Sequence, residues 1–356
     1  MRIAQVAPLN EAVPPKLYGG TERVVFYLTE ALVAMGHDVT LFASGDSRTS
    51  ARLVRCCPRA LRLDASCRDR TVYHVLEVES VIARAEDFDV IHFHCDYLHY
   101  PSIRRLPVPA LTTLHGRQDL HDLAPLYREY DDLPLVSISA AQRAPIPWAN
   151  WVDTVHHGLP PGLLPFSSVP SGAYLAFLGR FSPEKGFERA VAIARRVGIP
   201  LKAAAKADAA DRDYFEAVVR PLLDDPLVEW LGEIGEREKA AFLGGALAHL
   251  FPIDWPEPFG LVMLEAMACG TPTVAWRNGS VPEVLDEGTT GYVVESIDAA
   301  ARAVEACGRF DRAACRAAFE RRFAADRMAA EYVALYRRLA ALRPRVRPAV
   351  GGSVWT

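Results

Sequence analysis

The sequence predicts an α/β fold in which two Rossmann-like domains face each other across a cleft. Short apolar runs alternate with longer amphipathic or alanine-rich segments, which is typical of parallel sheets with helical connections. The alternation stops over residues 156 to 172, a stretch rich in proline, glycine and serine, and restarts at residue 174. The 356 residues suffice for two domains that each bury a core. We therefore expect domains over residues 1–160 and 173–322, with a C-terminal helix and tail over 323–356 packing back on the first domain.

Each strand is predicted from a short apolar run, and each helix from a longer segment with helical spacing. Strands are expected in the first domain at residues 2–8, 38–43, 89–94, 110–115 and 134–139, and in the second at 174–180, 198–206, 227–233, 247–253, 271–276 and 291–295. Helices are expected at 21–36, 259–269 and 325–342. Open parallel sheets bind ligands beyond the carboxyl ends of their strands, so the residues that directly follow strands are the candidates for a site.

The composition is that of an ordinary soluble globular protein, with 50% hydrophobic and 24% charged residues. A net charge of −4 gives no overall attraction to nucleic acid. The seven cysteines lack a CxxC spacing, so neither a zinc ribbon nor a disulfide framework is indicated, and a reducing compartment is expected. The start MRIAQVAPL is too short for a signal peptide, and no apolar run long enough to span a membrane occurs. These features favour a cytoplasmic location.

The first strand of the second domain ends in GRFSPEKG (179 to 186). Arg180 and Lys185 lie on the turn before a helix, so two cations and a helix N-terminus can bind one anion such as phosphate. For this pair alone, two solvated surface charges are the alternative.

The stretch WPEPFGLVMLEAMACGTP (255 to 272) places Glu257 and Glu265 eight positions apart around an almost uninterrupted apolar segment. An apolar helix of this kind is usually buried, where a carboxylate needs a partner. Glu257 lies beside the amides that open the helix and can receive sugar hydroxyls, while Glu265 can accept two hydroxyls of a ribose. The alternatives are that Glu257 caps the helix and that Glu265 meets an arginine. Together with the anion site, these residues predict a nucleotide diphosphate sugar as the ligand.

These motifs resemble those of the retaining glycosyltransferases of family 4, the glycogen synthase-like and phosphatidylinositol mannosyltransferase-like group with the GT-B fold. GRFSPEKG resembles the diphosphate clamp of that family, and EPFGLVMLE resembles its paired-glutamate motif in spacing and in the intervening Phe-Gly-Leu. Two further stretches are family-like, namely ACGTPTVAWRNGSVPEVLDEGTTGYVV (268 to 294) and the glycine loop YGGTERVV (18 to 25). The resemblance covers most of the chain, most strongly residues 174 to 295 and least residues 45 to 88.

The resemblance implies a role for each matching residue. Catalytic roles are implied for His115, Arg180, Lys185 and Glu257. Donor-binding roles are implied for Gly19, Gly20, Lys206, Gly232, Ile234, Phe259, Gly260, Leu261, Val262 and Glu265. Arg180 and Lys185 would hold the diphosphate, Glu265 the ribose, and Glu257 the transferred sugar together with the backbone that follows it.

Four of these assignments concern loops and strand ends. Gly19 and Gly20 would let the first domain's loop approach the phosphates, since no Cβ intrudes. His115 ends the predicted strand ALTTLH and matches a family histidine beside the sugar, the alternative being a core histidine. Lys206 would add a cation, although the family more often has a glycine near Ala205. The segment VEWLGEIGE (228 to 236) resembles the part that lines the base, through backbone groups from Gly232 to Ile234.

Retention, as the family implies, requires no side chain to act as a base. The leaving phosphate can take the acceptor proton on the same face, so the protein stabilises charge and orients the substrates. Arg180, Lys185 and the helix amides suit that work, and we expect no cofactor and no metal. Two Asp-x-Asp pairs, Asp87 with Asp89 and Asp211 with Asp213, are interpreted as helix and turn caps.

The sequence gives the least information about the acceptor. His94, Asp96 and Tyr97 follow the predicted strand DVIHFH and are candidate acceptor contacts, or else an ordinary polar turn. UDP-glucose is the favoured donor, followed by GDP-mannose, and the acceptor is a small molecule, a saccharide or a lipid-linked sugar. A basic stretch is interpreted as a solvated loop, in preference to a surface for peripheral contact with anionic lipid. Its arginines are Arg48, Arg52, Arg55, Arg59, Arg62, Arg68 and Arg70.

Two other functions compete with glycosyl transfer. A metal-dependent hydrolase would use His92, His94 and His115, since His-x-His on a strand places both rings on one face, with Asp96 as an acidic ligand. It leaves the phosphate and sugar residues of the second domain unused. The other is a sugar-nucleotide-binding protein without turnover, against which the intact charged set argues.

Overall fold

The computed structural model describes residues 1–16 and 19–342 and forms two compact units. The N-terminal unit comprises Met1–Gly158 together with the chain from Ala325 onward, and the C-terminal unit comprises Leu159–Ala324. The boundary between the units, after Gly158, lies inside the expected linker at 156–172, and most of that stretch belongs to the C-terminal unit. The expected tail beyond residue 342 lies outside the described residues, as does Tyr18 of the glycine loop.

Within the described part of the N-terminal unit, seven parallel strands form one sheet in the order β3-β2-β1-β4-β5-β6-β7. The strands are β1 (Arg2–Val6), β2 (Asp38–Ser44), β3 (Arg52–Cys57), β4 (Val90–Phe93), β5 (Ala110–Thr113), β6 (Leu135–Ser137) and β7 (Trp151–Thr154). The sequence pattern misses β3 and β7. Both are edge strands with exposed or half-buried positions, so neither shows the apolar run of a central strand.

Helices connect these strands. They are α1 (Gly20–Ala34), α2 (Arg70–Ile82), α3 (Tyr100–Ile103), α4 (Leu123–Glu129) and α5 (Ala140–Arg143), with a 3₁₀ turn at Ala85–Asp87. Asp69 caps α2 by accepting a hydrogen bond from the Thr71 amide, and Ser139 caps α5 in the same way through the Gln142 amide.

The described C-terminal unit repeats the same topology with six parallel strands in the order β10-β9-β8-β11-β12-β13. The strands are β8 (Leu175–Arg180), β9 (Leu201–Lys206), β10 (Val228–Gly232), β11 (Ala248–Phe251), β12 (Thr273–Trp276) and β13 (Gly291–Val294). The helices are α6 (Phe187–Val197), α7 (Arg212–Tyr214), α8 (Arg220–Leu223), α9 (Glu236–Gly244), α10 (Leu261–Ala268), α11 (Val281–Val284), α12 (Ile297–Cys307) and α13 (Arg312–Phe323). A π-helical turn at Phe215–Val219 joins α7 to α8, and 3₁₀ turns occur at Pro183–Lys185 and Ala209–Asp211.

A last helix, α14 (Ala325–Ala341), belongs to the N-terminal unit although it follows the C-terminal unit in sequence. It buries Tyr332 and Tyr336, which hydrogen-bond to Thr113 of β5 and Gln5 of β1. Its remaining contacts are mainly with α1. A helix that follows the C-terminal unit in sequence therefore packs against the sheet of the N-terminal unit.

In both units the strand order reverses between the first and fourth strands, that is, between β1 and β4 and between β8 and β11. The loops after these strands diverge to opposite faces of the sheet and leave a crevice at its carboxyl edge. Each unit therefore has one switch point at which a ligand site is expected.

Candidate active site

At the switch point of the C-terminal unit, the loops after β8 and β11 lie in close contact. The Asp254 amide donates a hydrogen bond of 2.8 Å to the Glu184 carbonyl. Gly186 has a φ of +65°, and a Cβ there would come within 2.2 Å of the Pro252 carbonyl oxygen. A side chain at residue 186 is thus excluded twice, by its backbone conformation and by the neighbouring loop.

This contact brings Lys185 and Glu257 together, although 72 residues separate them. The Lys185 ammonium donates to Glu257 Oε2 at 2.5 Å, and the Trp255 indole donates to the same oxygen at 3.1 Å. Lys185 Nζ also lies 4.9 Å from the Trp255 ring centroid. The side chains of Lys185 and Glu257 are only 18% and 12% exposed, so water screens the pair weakly.

Two further cations lie at the ends of the adjacent strands β8 and β9, where Arg180 is in register with Lys206. Arg180 donates to Glu184 Oε1 at 2.7 Å, and its buried Nε has no hydrogen-bond partner. Lys206 donates to Asp208 Oδ2 at 3.0 Å, and this hydrogen bond holds the pKa of Asp208 below its ordinary value. Three cations therefore line one sheet edge, each with a carboxylate partner.

The Asp-x-Asp pairs do not form the expected caps throughout. Asp89 accepts hydrogen bonds from the Arg2 backbone and side chain. Both residues lie at the amino ends of the strands of the N-terminal sheet, away from its carboxyl edge. Asp211 is the N-cap residue of α7 but makes no capping hydrogen bond through its side chain, and its Oδ2 lies 4.0 Å from Arg180 Nε. Asp208, which the sequence did not single out, caps the preceding 3₁₀ turn instead.

The loop that carries Glu257 is held from the turn after β12. The Ser280 amide donates to the Glu257 carbonyl at 2.9 Å, and the Ser280 hydroxyl donates to the Phe259 carbonyl at 2.8 Å. Gly279 approaches so closely that a Cβ would lie 2.2 Å from the Glu257 carbonyl oxygen. Gly279 and Ser280 are part of the family-like stretch 268 to 294. Their contacts with the Glu257 loop become visible only in the folded structure.

Helix α10 begins at Leu261, two residues later than the sequence predicts. Pro258 and Phe259 belong to the loop, Phe259 is buried against Phe323, and Gly260 is the N-cap. The amides of Leu261 and Val262 open the helix and have no partner within it. They directly follow the loop that begins with Glu257.

Glu265 is buried to 2% exposure in α10. Its Oε1 accepts a hydrogen bond of 2.6 Å from Lys239 of α9, whereas its buried Oε2 has no partner. The alternative that Glu265 meets an arginine is thus wrong in residue type, and only one of the two carboxylate oxygens is satisfied. A buried oxygen without a partner is rare and marks a place where a ligand hydroxyl is expected. The sequence missed Lys239 because its helix shows no phosphate or sugar motif.

The segment expected to line the base follows β10. A bulge shifts the register between Trp230 and Gly232, and Ile234 lies in the loop before α9. Trp230 is 41% exposed and donates to the Ala205 carbonyl at 2.8 Å. Its indole packs near Phe181 and Phe215, so an exposed aromatic surface adjoins the Gly232 to Ile234 backbone.

In the N-terminal unit, Gly19 immediately precedes α1 and Gly20 is its first residue. A Cβ at Gly19 would lie 2.7 Å from Pro15 Cβ and 3.2 Å from Glu22 Oε2. Packing inside the unit therefore already requires a glycine at this position. Gly20 is exposed.

The histidines of the N-terminal unit bond to one another and to the core. His94 is 2% exposed, and its two ring nitrogens bond Gln5 Oε1 at 2.8 Å and His115 Nε2 at 2.9 Å. The prediction of His94 as an acceptor contact is therefore wrong, because its polar atoms are used within the protein. His115 lies two residues beyond β5, and its buried Nδ1 has no hydrogen-bond partner.

The proposed metal site fails for the same reason. Both ring nitrogens of His92 are occupied, by Tyr336 and by Thr113, each at 2.7 Å. With His94 also saturated, only His115 keeps a free ring nitrogen. Over residues 1–16 and 19–342, no group of three histidine, cysteine, aspartate or glutamate side chains is arranged to hold a metal ion.

Asp96 and Tyr97 are exposed at the switch point of the N-terminal unit, directly after β4. Asp96 has a φ of +43°, a conformation that aspartate tolerates better than most residues. Tyr97 is 42% exposed. Of the three acceptor candidates, these two present side chains that a ligand can reach.

Two family models match the chain. The one described as Glycosyltransferase Family 4 matches residues 18–156, and the one described as Glycosyl transferases group 1 matches residues 167–307. The protein is a glycosyltransferase with two Rossmann-like domains of the GT-B fold. It belongs to the family 4-like glycosyltransferases, which confirms the resemblance carried by its motifs.

Relatives and solved structures agree with this assignment. Glycogen synthase of Mycobacterium tuberculosis is 26% identical over 332 residues, covering 78% of this chain and 79% of the relative. Phosphatidyl-myo-inositol mannosyltransferase of Propionibacterium freudenreichii is 28% identical over 329 residues, covering 82% of each. A glycosyltransferase involved in avilamycin A biosynthesis is 27% identical, with a TM-score of 0.74 over 96% of this chain and 98% of that one. None of the helices in the described residues is long and apolar enough to cross a membrane.

Proposed function

We propose that this glycosyltransferase moves a hexosyl group from a nucleotide diphosphate sugar to a hydroxyl acceptor, with retention of configuration and without a metal ion. UDP-glucose is the favoured donor and GDP-mannose the next. The observation that carries the proposal is the switch-point cluster of the C-terminal unit, defined here as Arg180, Lys185, Glu257 and Glu265. It combines two cations, two carboxylates and two buried polar atoms without hydrogen-bond partners, Arg180 Nε and Glu265 Oε2.

The cations of the cluster suit a diphosphate. Arg180 and Lys185 leave the same strand end within five residues, and their partners Glu184 and Glu257 prevent an excess of positive charge when no ligand is bound. A diphosphate carries roughly two negative charges. It can accept charge-assisted hydrogen bonds from these cations, and such bonds are stronger than neutral ones. We propose that Lys185 and Arg180 Nε, which makes no hydrogen bond within the protein, turn to the phosphates, and that Lys206 adds a third cation.

The carboxylates suit the two sugars of such a donor. Glu265 Oε2 is buried and unpaired, and we propose that it accepts a ribose hydroxyl while Lys239 holds Oε1. Glu257, once Lys185 turns to phosphate, keeps the Trp255 indole and is available to hydroxyls of the transferred hexose. Anabaena HepE, whose fold is the same at a TM-score of 0.74, is solved in complex with UDP-glucose, so this architecture accommodates such a donor in that protein.

The mechanism follows from charge stabilisation. As the bond between sugar and phosphate breaks, negative charge grows on the leaving diphosphate, and fixed cations and helix amides stabilise that charge without reorganising. The leaving phosphate accepts the proton of the attacking acceptor hydroxyl on the same face of the sugar, so the new bond has the old configuration. No side chain has to serve as a base, and the positive charge of Arg180 and Lys185 takes the place of a metal ion.

The acceptor is proposed to be soluble, with Asp96 and Tyr97 as its contacts. The names of the relatives point to different acceptors, so the relatives do not choose among them. Of the basic stretch, Arg62 pairs with the buried Glu11 and Arg59 lies 3.6 Å from Asp64. Exposed apolar side chains do occur just beyond the stretch, at Val72, Val75 and Leu76 of α2.

Liposome co-sedimentation at low and moderate salt separates a soluble acceptor from a lipid-linked one. The proposal expects no binding to anionic vesicles even at low salt. Binding that disappears when Arg52, Arg55, Arg59 and Arg62 are replaced would instead make this a peripheral membrane enzyme with a lipid acceptor.

A thermal-shift screen against UDP-, GDP- and ADP-sugars tests the donor, because a ligand that binds only the native state raises the unfolding temperature. UDP-glucose is expected to give the largest shift, with UDP alone giving less. Slow hydrolysis of the same donor without acceptor then separates an enzyme from a binding protein, and the anomeric configuration of the released sugar reports retention. A screen in which no nucleotide sugar stabilises the protein would contradict the proposal.

A further inference from the structure

A buried chain of polar side chains runs through the N-terminal unit and ends at His115. The first branch passes from Gln5 of β1 to His94 and then to His115, with distances of 2.8 Å and 2.9 Å. Gln5 is completely buried and His94 is 2% exposed. The bonded polar atoms of Gln5 and His94 are therefore shielded from water.

The second branch passes from Gln5 to α14 and back into the sheet. Gln5 Nε2 donates to the Tyr336 hydroxyl at 3.0 Å, and that hydroxyl bonds His92 Nδ1 at 2.7 Å. His92 Nε2 bonds Thr113 Oγ1 at 2.7 Å, and Thr113 Oγ1 bonds the Tyr332 hydroxyl at 2.8 Å. Both branches meet at the amide of Gln5, whose oxygen faces one and whose nitrogen faces the other.

The imidazoles in this chain are neutral. Burial lowers the pKa of His115 to about 3, and it lowers the pKa values of His92 and His94 well below their ordinary range. A neutral imidazole carries one N–H and one lone pair, so each ring donates at one nitrogen and accepts at the other. The chain of hydrogen bonds consequently has a direction.

Gln5 sets that direction. Its Oε1 can only accept, so His94 donates from Nε2 and has its lone pair at Nδ1. His115 must then donate from Nε2 to His94, which leaves the lone pair of His115 at Nδ1. That is the buried nitrogen without a partner.

The hydrogen bonds of the second branch also have a fixed direction. Because Gln5 Nε2 donates to Tyr336, the tyrosine hydrogen is free to bond His92 Nδ1, and His92 donates from Nε2 to Thr113. Turning the Gln5 amide over would require every bond in both branches to reverse together. His115 would then carry a hydrogen at Nδ1 in place of a lone pair.

We propose that Gln5 is a positioning residue that fixes His115 in the Nε2–H tautomer, so that Nδ1 accepts a hydrogen bond from a ligand hydroxyl. The identity of that hydroxyl as one of the transferred sugar rests on the proposed function, whereas the tautomer itself does not. Tyr336 of α14 accepts the hydrogen bond of the Gln5 amide at 3.0 Å, so α14 belongs to the same network.

The tautomer can be read without any substrate. Long-range ¹H–¹⁵N spectra of protein labelled at histidine distinguish a protonated from a bare ring nitrogen. In the 356-residue protein, His115 is expected to be protonated at Nε2 and bare at Nδ1, with its signals assigned through His115→Gln. A wild-type His115 protonated at Nδ1 would overturn the proposal.

Three variants separate positioning from general packing. Gln5→Leu removes both amide contacts, and Tyr336→Phe frees the amide to turn over, so both are expected to populate the Nδ1–H tautomer of His115. Tyr332→Phe is the matched control, because it removes a buried hydroxyl one helical turn away on α14 but touches only the end of the chain. It is expected to keep the wild-type tautomer.

Circular dichroism establishes that each variant is folded before its spectrum is interpreted. An unchanged His115 tautomer in both Gln5→Leu and Tyr336→Phe would overturn the proposal, and so would an equal change in all three variants. Failure of UDP-glucose to bind the wild type would contradict the proposed function and leave the tautomer result standing.

Discussion

Each charged residue of the switch-point cluster is paired within the protein. Lys185 holds Glu257, Lys239 holds Glu265, and Arg180 holds Glu184. A buried or half-buried charge without a partner is unfavourable, so these pairs keep the empty site stable. They also mean that a ligand exchanges partners when it binds. The effect of a substitution therefore depends on which partner it leaves behind.

Lys185→Ala and Glu265→Ala are each expected to weaken the binding of UDP-glucose by about tenfold or more, which corresponds to about 1.4 kcal/mol. The first removes a cation and leaves the Glu257 charge near the diphosphate, and the second removes the unpaired oxygen that we assign to the ribose. Calorimetric titration measures the affinity, and circular dichroism monitors the fold. Lys202→Ala is the control, since it removes a lysine from an exposed pair with Glu229 in the same unit. Wild-type affinity in either site variant would contradict the assignment.

Glu257→Ala is expected to separate binding from turnover. Its loss frees Lys185 for the phosphates, so UDP alone should bind at least as well as to the wild type. Turnover of UDP-glucose should fall about 100-fold or more, because the lost contact is to the transferred sugar. Titration with UDP and initial-rate kinetics with UDP-glucose measure the two effects. Equal losses for UDP and UDP-glucose would assign Glu257 to the structure of the loop.

At the scale of elements, the site is formed by contacts among the loops that follow β8, β11 and β12. Gly186 and Gly279 permit these contacts, each within 2.2 Å of a neighbouring carbonyl oxygen if a Cβ were present. The loop after β12 holds the Glu257 loop through Ser280, and the Glu257 loop holds the Lys185 turn. The positions of the charged side chains are thus a property of three adjoining loops.

Gly186→Ala is expected to reduce both donor affinity and stability, because the new methyl displaces the Pro252 carbonyl and with it the loop that carries Glu257. Gly198→Ala is a matched control at the other end of α6. Its φ of +66° is nearly the same as the +65° of Gly186, but a Cβ there meets nothing within 4 Å. Both variants bear the backbone strain, so the difference between them in affinity for UDP-glucose measures the loop contact. Equal affinities would show that the contact does not position the site.

The sequence predicts elements wherever burial leaves a regular pattern. The strand-end positions of Arg180, Lys206 and His115 follow from apolar runs, since a central parallel strand is buried on both faces. Strand β3 was missed because Arg52 and Arg55 interrupt the apolar residues of RLVRCC at the edge of the sheet. The pairing of Glu265 with Lys239 and the bonds of His94 were missed because they join residues far apart in sequence. Local patterns do not encode such contacts, and only the fold brings these side chains together.

For the whole molecule, protonation of buried groups couples stability to pH. Burial lowers the pKa of seven histidines in the native state, namely His37, His92, His94, His99, His115, His157 and His249. Their ordinary pKa is about 6.5, so below that pH the unfolded chain binds protons that the native protein does not. The stability they contribute is present above pH 6.5, and it is lost as the pH falls toward about 3. Burial raises the pKa of Glu22 and Glu77 to about 7, so their contribution runs in the opposite direction and is lost as the pH rises from about 4.5 to 7.

The seven histidines outnumber the three acids whose pKa burial raises, Glu22, Glu77 and Asp96, so the free energy of unfolding is expected to fall when the pH is lowered from about 7 to about 5. Urea denaturation followed by circular dichroism at the two pH values measures this change. In Glu77→Gln the loss on acidification should be larger, because one of the opposing groups is gone. A protein that becomes more stable at pH 5 would contradict the assignment of neutral, buried histidines.

The most direct test of the whole account is a calorimetric titration of UDP-glucose into the protein in the presence of EDTA. The account holds that a nucleotide diphosphate sugar binds at the switch point of the C-terminal unit, and that protein cations alone neutralise its phosphates. It predicts binding at one site per chain that survives the chelator, exceeds that of GDP-mannose, and is lost in the double variant Arg180→Ala, Lys185→Ala. Binding that appears only after magnesium or manganese is added, or that persists in the double variant, would contradict it.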